Sequence, residues 1–399
     1  MKVIYRAVIG TILFCVLIFF AVSSAVPAFA SEILPFPEPP TRTDDPLWGR
    51  AVSHWENRRQ DLEAQKALEV FQTLSEKYPG RIEPRLWLCR AYYFLGMLES
   101  GGKKRNPLLR KSINSCQKAL ELNPENVYAL YWLVGAWYHV DPIDPILPQI
   151  KILTEKMPVG REISFPANDS AWNEIIAHWD ARADLNRARL AAGLLEKIAG
   201  KNPDSPNVWM WLARVYYWLG ENGETQAERE RLHYRGYEFG LRALKIAPGH
   251  ARANYWAVCN LARYAQLGSI ARRGMLAKKI IDHLRIIDQE EPLYFFGGVP
   301  RYIAYALAES GPVVRKLLEM LDFSDVLSPI KMSIAVAPNY FEIRLALAEY
   351  AAAIGDNGLA REQLDYSVGT SAELIPGYEP ENRLYQERAR RLLLEIIKK

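Results

Sequence analysis

Two short runs carry the residue types that could grip an acid. Trp87, Arg90, Tyr93 and Phe94 recur as Trp211, Arg214, Tyr217 and Trp218. The spacing i, i+3, i+6, i+7 sets each foursome on one face of a helix. A guanidinium between aromatic rings can hold a carboxylate bidentately while the rings cover apolar surface. Trp87, Arg90, Tyr93, Trp211, Arg214, Tyr217 and Trp218 are therefore the candidate ligand- or partner-binding residues. They would face the concave side that first helices line in stacked hairpins. The competing reading is packing: tryptophans wedge between hairpins, arginines snorkel, and aromatic stripes on helices are more often core.

No catalytic arrangement stands beside them. The six histidines include no pair at metal-ligand spacing on one helix face. His54 and His178 occupy duplicated positions next to tryptophans and read as packing or capping residues. Gly96-x4-Gly101-Gly102-Lys103 has glycine where a phosphate loop needs lysine, and lysine where it needs serine or threonine. No G-x-S-x-G occurs, and Asp141 and Asp144 stand among prolines as turn formers. Neither enzymatic activity nor a cofactor or metal is expected. Fifty basic and 46 acidic residues give a net charge of +4. The basic runs Lys103–Arg105 and Arg388–Arg391 read as solvated faces, so no nucleic-acid surface is expected.

The elements that position these residues are helices. From Trp48 onward the hydrophobic period is helical, and no alternating strand intervenes. Leu86–Gly96 reads LWLCRAYYFLG and Met210–Gly220 reads MWLARVYYWLG, with seven identities at an offset of 124. The same offset aligns His54-Trp55 and Arg58 with His178-Trp179 and Arg182, and Tyr131-Trp132 with Tyr255-Trp256. One register held over some eighty residues marks a tandem duplication. Trp209-x2-Leu212-Ala213-x2-Tyr216 followed by Gly220 matches the first helix of a tetratricopeptide repeat, with the glycine expected to end that helix in a left-handed turn. Pro124 and Pro248 close the second helices, and Leu347-Ala348, Gly355-Asp356, Ala360 and Leu364 outline a last hairpin. About eleven extra residues follow Gly96 and Gly220 as an inserted loop, 139–168 reads as a long connection, and 291–339 departs from the repeat. The expected fold is all-α: an irregular tetratricopeptide-like helical-hairpin solenoid with an internal tandem duplication. Its expected parts are modules 49–170 and 171–290 and a C-terminal helical-repeat segment 291–399.

Residues 1–30 read as a signal peptide. Lys2 and Arg6 precede an apolar run from Ala7 to Val22, and Ala28-Phe29-Ala30 supplies the cleavage pattern. Cleavage after Ala30 would deliver the chain to the periplasm, followed by a proline-rich linker over 31–48. An uncleaved anchor is the alternative. Cys89, Cys116 and Cys259 would remain in the exported chain, read first as small buried hydrophobes. A Cys89–Cys116 bridge across one hairpin is the alternative reading.

The stretch His233–Leu261, HYRGYEFGLRALKIAPGHARANYWAVCNL, with Gly297-Gly298-x2-Arg301 and the closing Leu347-Ala348 hairpin, resembles the T-component family associated with tripartite ATP-independent periplasmic (TRAP) transporters. The resemblance runs from about Trp209 to the C-terminus, and through the duplication back to about Trp87. It implies a periplasmic helical-repeat protein that partners a transporter's solute-binding subunit, can form a homo-oligomer, and handles hydrophobic ligands. Two functions follow. One is a non-catalytic transport accessory that binds a solute-binding partner and a hydrophobic or carboxylate small molecule. The other is a generic periplasmic tetratricopeptide scaffold holding a protein segment in its groove.

Overall fold

The computed structural model describes residues 38–99, 101–140, 142, 144–157, 170–309 and 327–397. The leader and residues 31–37 of the linker lie outside this set. Among the described residues there are helices and turns but no strand. Six helices make the first copy: α1 (Pro46–Glu56), α2 (Glu63–Lys77), α3 (Glu83–Leu98), α4 (Gly102–Leu122), α5 (Val127–Trp137) and α6 (Leu147–Lys156). Six more answer them: α7 (Ser170–Asp180), α8 (Leu185–Lys201), α9 (Pro206–Glu221), α10 (Gln226–Ile246), α11 (Ala251–Leu267) and α12 (Ile270–Glu290). The bounds of α1 and α4 plus 124 are those of α7 and α10, so the duplication is structural. The remainder is α13 (Tyr294–Glu309), α14 (Leu327–Val336), α15 (Phe341–Ile354), α16 (Asn357–Gly369) and α17 (Glu379–Ile397).

The chain divides into two compact units, Ile163–Glu291 and Phe36–Glu162 with Pro292–Lys399. The latter joins the first copy to the C-terminal helices. There the Leu293 N–H donates to the Tyr131 hydroxyl at 3.3 Å, and Met332 and Val336 join a core with Tyr93, Leu130 and Trp132.

Helix starts are capped by the expected chemistry. Asp45, Asn126, Asp184 and Thr225 each accept a backbone N–H of the following first turn. At the position equivalent to Asn126 stands His250, whose Nδ1 accepts the Ala253 N–H at 3.2 Å. Gly355 ends α15 with φ of 87°, a left-handed cap that only glycine adopts without strain. Gly96 and Gly220 do not end their helices in this way. Both lie inside α3 and α9, where a Cβ would stand 2.9 Å from Leu109 and 2.6 Å from the His233 ring. Close approach of the second helix, and not chain reversal, requires glycine there.

Two further expectations are corrected. The residues after Gly96 and Gly220 do not form inserted loops. They lengthen the second helices to 21 residues each, placing Lys103–Arg105 in the first turn of α4. The stretch 139–168 is no plain connection either, since it contains α6, the counterpart of the start of α12. Residues 158–169 lie outside the described set.

Cys89 on α3 and Cys116 on α4 form a disulfide, with Cα atoms 5.1 Å apart. Both are fully buried. The bridge replaces the small-hydrophobe reading for this pair, while Cys259 keeps its thiol and is partly exposed. The second copy carries Ala213 and Gly240 at the bridged positions and closes without a bridge. Gly240 would place a Cβ 2.7 Å from that of Ala257, so its α10 lies close against α11.

Candidate functional site

Each copy builds one arginine pair into an aromatic cage. In the first, Trp55 comes from α1, Arg58 from the turn after it, Trp87, Arg90 and Phe94 from α3, and Trp132 from α5. The Arg90 guanidinium sits 4.2 Å from the Trp132 ring centre, 5.0 Å from Trp55 and 5.6 Å from Phe94. Arg58 lies over Trp55 at 4.8 Å and donates to the Trp55 carbonyl. In the second copy Arg214 stands 4.8–5.2 Å from Trp211, Trp179 and Trp256, and Arg182 covers Trp179 at 4.6 Å. The extra indole of Trp218, where the first copy has Phe94, donates to the Arg182 carbonyl at 3.0 Å.

The cages are interior. Arg90 and Arg214 are 1% and 5% exposed, and Trp87, Trp211 and Trp218 are buried with them. These residues do not line an open concave surface. Three helices converge on each guanidinium, and a charge surrounded by indole faces keeps partners as it leaves water. Tyr93 and Tyr217 point elsewhere: Tyr93 packs on Trp132 at 5.1 Å, and Tyr217 lies between His233 and Trp256. The stripe thus divides into a tryptophan–arginine half inside the cage and a tyrosine half in the neighbouring core. Trp55, Arg58 and Trp132 were not among the candidates, yet the 124-residue offset already paired them with Trp179, Arg182 and Trp256.

A carboxylate does reach the first cage, from the chain itself. Trp55 Nε1 donates to Glu38 Oε1 at 3.0 Å, while Arg58 and Arg90 approach the same carboxylate at 3.9 and 3.7 Å. Trp87 Nε1 donates to the Pro40 carbonyl at 3.2 Å. The strap is fastened separately downstream. Asp44 pairs with Arg81 at 2.7 Å, and Asp45 bonds Lys77 and Tyr78 at 2.8 and 2.9 Å. The Lys77 ammonium and the Leu47 N–H hold the Asp45 carboxyl down at about 2.

A polar cluster distinguishes the second copy. His233 faces Asn260 at 3.3 Å and Glu221 at 3.6 Å, and Glu221 pairs with Arg263 at 2.8 Å. The first copy has Met97, Leu109, Ala136 and His139 at these places. Burial pushes the His233 imidazole down to about 4, outweighing the nearby Glu221 carboxylate. Burial does the same to His250 and His283, each lowered to about 4. His54 and His178 are hydrogen-bonded at the ends of α1 and α7, to Glu63 at 2.6 Å and to Arg187 at 3.1 Å. Among the described residues no group of three or more His, Cys, Asp or Glu side chains could hold a metal ion.

The Gly297-Gly298-x2-Arg301 motif makes a structural knot. Phe295, Phe296 and Gly297 are consecutively left-handed. The buried pair Arg301–Glu342, 3.1 Å, and a bond from Ser333 Oγ to the Gly297 carbonyl surround the turn. Elsewhere in this unit an apolar recess of about 470 Å³ is lined by Leu147, Ile150, Val336 and Ile375, with exposed Lys151 at its edge.

The second copy also carries a family likeness. The family described as regulator of microtubule dynamics protein 1-3 matches residues 175–292, which is 118 of the 399 residues. No curated protein matches the chain. Among the described residues the fold is all-α, with successive helices packed on one another as hairpins. Among solved structures it is similar to TTC0263, a thermophilic TPR protein in Thermus thermophilus, at 14% identity, 71% of this chain, 92% of that one and TM-score 0.22. Yeast Tom70 matches at 13% identity, 89% and 98% coverage and TM-score 0.23. The P58(IPK) TPR domain matches at 13% identity, 88% and 99% coverage and TM-score 0.21.

Proposed function

We propose that the chain is an exported, non-catalytic helical-repeat scaffold that holds a polypeptide segment against the first helices of its hairpins. One observation carries the reading: a proline-fixed segment, residues 38–40, already lies on the α1–α3 cage, held through one carboxylate and one backbone carbonyl. Trp87 and Arg90 serve as its binding residues, and Trp211, Arg214 and Trp218 are their counterparts in the second unit. Export is supported by the composition of residues 1–30 and by the Cys89–Cys116 bridge, since disulfides persist in oxidising compartments. No described helix is long and apolar enough to cross a membrane.

The apolar recess beside Lys151 favours a second reading. In that reading the protein is a TRAP-type transport accessory that takes an apolar carboxylic acid and meets a solute-binding subunit. Native mass spectrometry of protein purified from its own compartment separates the two. A retained polypeptide is expected for the scaffold, and a retained small apolar acid would replace it with the transport reading. N-terminal sequencing is expected to return Ser31, and Met1 from a membrane fraction would overturn cleavage after Ala30 in favour of an uncleaved anchor.

A further inference from the structure

We propose that the first cage is a recognition site for glutamate followed by proline, and that Glu38-Pro39-Pro40 is its resident, exchangeable occupant. The inference rests on the scaffold reading and names the chemistry of the segment held. Two kinds of group are gripped, a carboxylate by Trp55, Arg58 and Arg90 and a backbone carbonyl by Trp87. Any chain bearing glutamate two residues before such a carbonyl supplies both. Proline suits the position because it lacks an N–H, so burying Pro39 strands no donor. Its fixed φ also lowers the entropy lost on docking, as in other proline-rich recognition.

The hold is loose where exchange would need it to be. The two guanidiniums stand 3.7 and 3.9 Å from the carboxylate, beyond the 2.7–2.9 Å of a charge-assisted hydrogen bond. The Glu38 side chain keeps 18% of its surface in water, against 2% for Arg90. Residues 38–40 can also leave without unfastening the rest of the strap. Arg42–Glu83, Asp44–Arg81 and Asp45–Lys77 hold it independently, and Asp45 still caps α1. The strap therefore competes with an incoming segment, and the apparent affinity for that segment is reduced by the fraction of time the cage is filled.

The test uses the full exported chain and a fluorescein-labelled heptapeptide of its own residues 36–42, FPEPPTR, read by anisotropy. Glu38→Ala is expected to bind it at least about tenfold more tightly than the unaltered protein. Replacing the peptide's glutamate by glutamine is expected to weaken binding by about tenfold or more. Should Glu38→Ala melt early, Glu38→Gln keeps the side-chain volume and an acceptor for Trp55. It is expected to bind more tightly than the unaltered protein too. A folded variant that binds no better, or that takes both peptides equally, overturns the proposal. A small carboxylate such as benzoate displacing the peptide at equal concentration would also overturn it, since proline would then contribute nothing. Retained polypeptide in native mass spectra together with failure here removes the cage as the site and leaves the scaffold standing.

Discussion

At the scale of residues, a buried guanidinium is stable only while its surroundings replace the water it has lost. Arg90 and Arg214 achieve this with indole faces, and Arg90 also with the carboxylate of Glu38. Arg90→Ala and Arg214→Ala are therefore expected to destabilise their units by about 2–4 kcal/mol in urea unfolding, through lost packing and orphaned partners. A change below roughly 0.5 kcal/mol would show the arginines to be surface groups. Lysine is not expected to rescue either site, because an ammonium cannot spread over several ring faces as a planar guanidinium does. His250 presents a second residue-scale choice. Its Nδ1 caps α11 and its Nε2 meets Asn207 Oδ1 at 3.1 Å, which requires the neutral Nε2–H tautomer. The folded value of about 4 lies below the ordinary histidine value of 6.5, so the unfolded chain takes up the proton first. Stability is fully present above about pH 6.5 and drains away as pH falls toward 4. His250→Asn, the cap used by the first copy, is expected to fold at pH 7 and to lose this share of the acid sensitivity. An unchanged pH profile would remove the cap as its cause.

At the scale of elements, the two copies satisfy one helix carbonyl by different means. Ser112 on α4 donates to the Cys89 carbonyl at 2.7 Å. In the second copy the equivalent carbonyl, of Ala213, receives Asn260 from α11 at 2.8 Å. The serine has become Gly236, and a Cβ there would lie 2.3 Å from Asn260 Oδ1. The first copy has Ala136 in place of the asparagine, leaving room for Ser112. Gly236→Ser and Asn260→Ala are each expected to cost about 1–3 kcal/mol, one by a clash and the other by lost hydrogen bonds. The double variant is expected to be more stable than their sum by at least about 1 kcal/mol. A double-mutant cycle with no coupling would mean that these helices do not share the space.

At the scale of the whole molecule, the two units are expected to respond to different solution conditions. Phe36–Glu162 with Pro292–Lys399 contains the disulfide, and Ile163–Glu291 contains His233, His250 and His283. Their lowered values extend the acid argument from one cap to the buried imidazoles of His233 and His250 and the partly buried one of His283, each worth up to roughly 3 kcal/mol between pH 6.5 and 4. Cys89→Ala with Cys116→Ala is expected to cost about 2–4 kcal/mol by freeing the unfolded chain across 27 residues. In calorimetry the cysteine variant should lower one transition and acid the other. A single transition moved alike by both changes would show that the units unfold as one.

The sequence by itself determined the helical class, the hairpin grammar and the duplication, because these are written in local spacing and in identities at a constant offset. Trp87 with Arg90 and Trp211 with Arg214 were legible for the same reason. Their burial was not. It depends on Trp55, Trp132, Trp179 and Trp256, which reach the arginines only when separate helices stack, and periodicity specifies a face without specifying what covers it. The capture of Glu38 by Trp55 and the joining of Leu293 to Tyr131 across 162 positions have no local signal. Nor did the glycines reveal their task. Gly355 caps a helix whereas Gly96 and Gly220 admit a neighbour, and only the packed partner decides between a residue needed for its backbone freedom and one needed for its missing side chain.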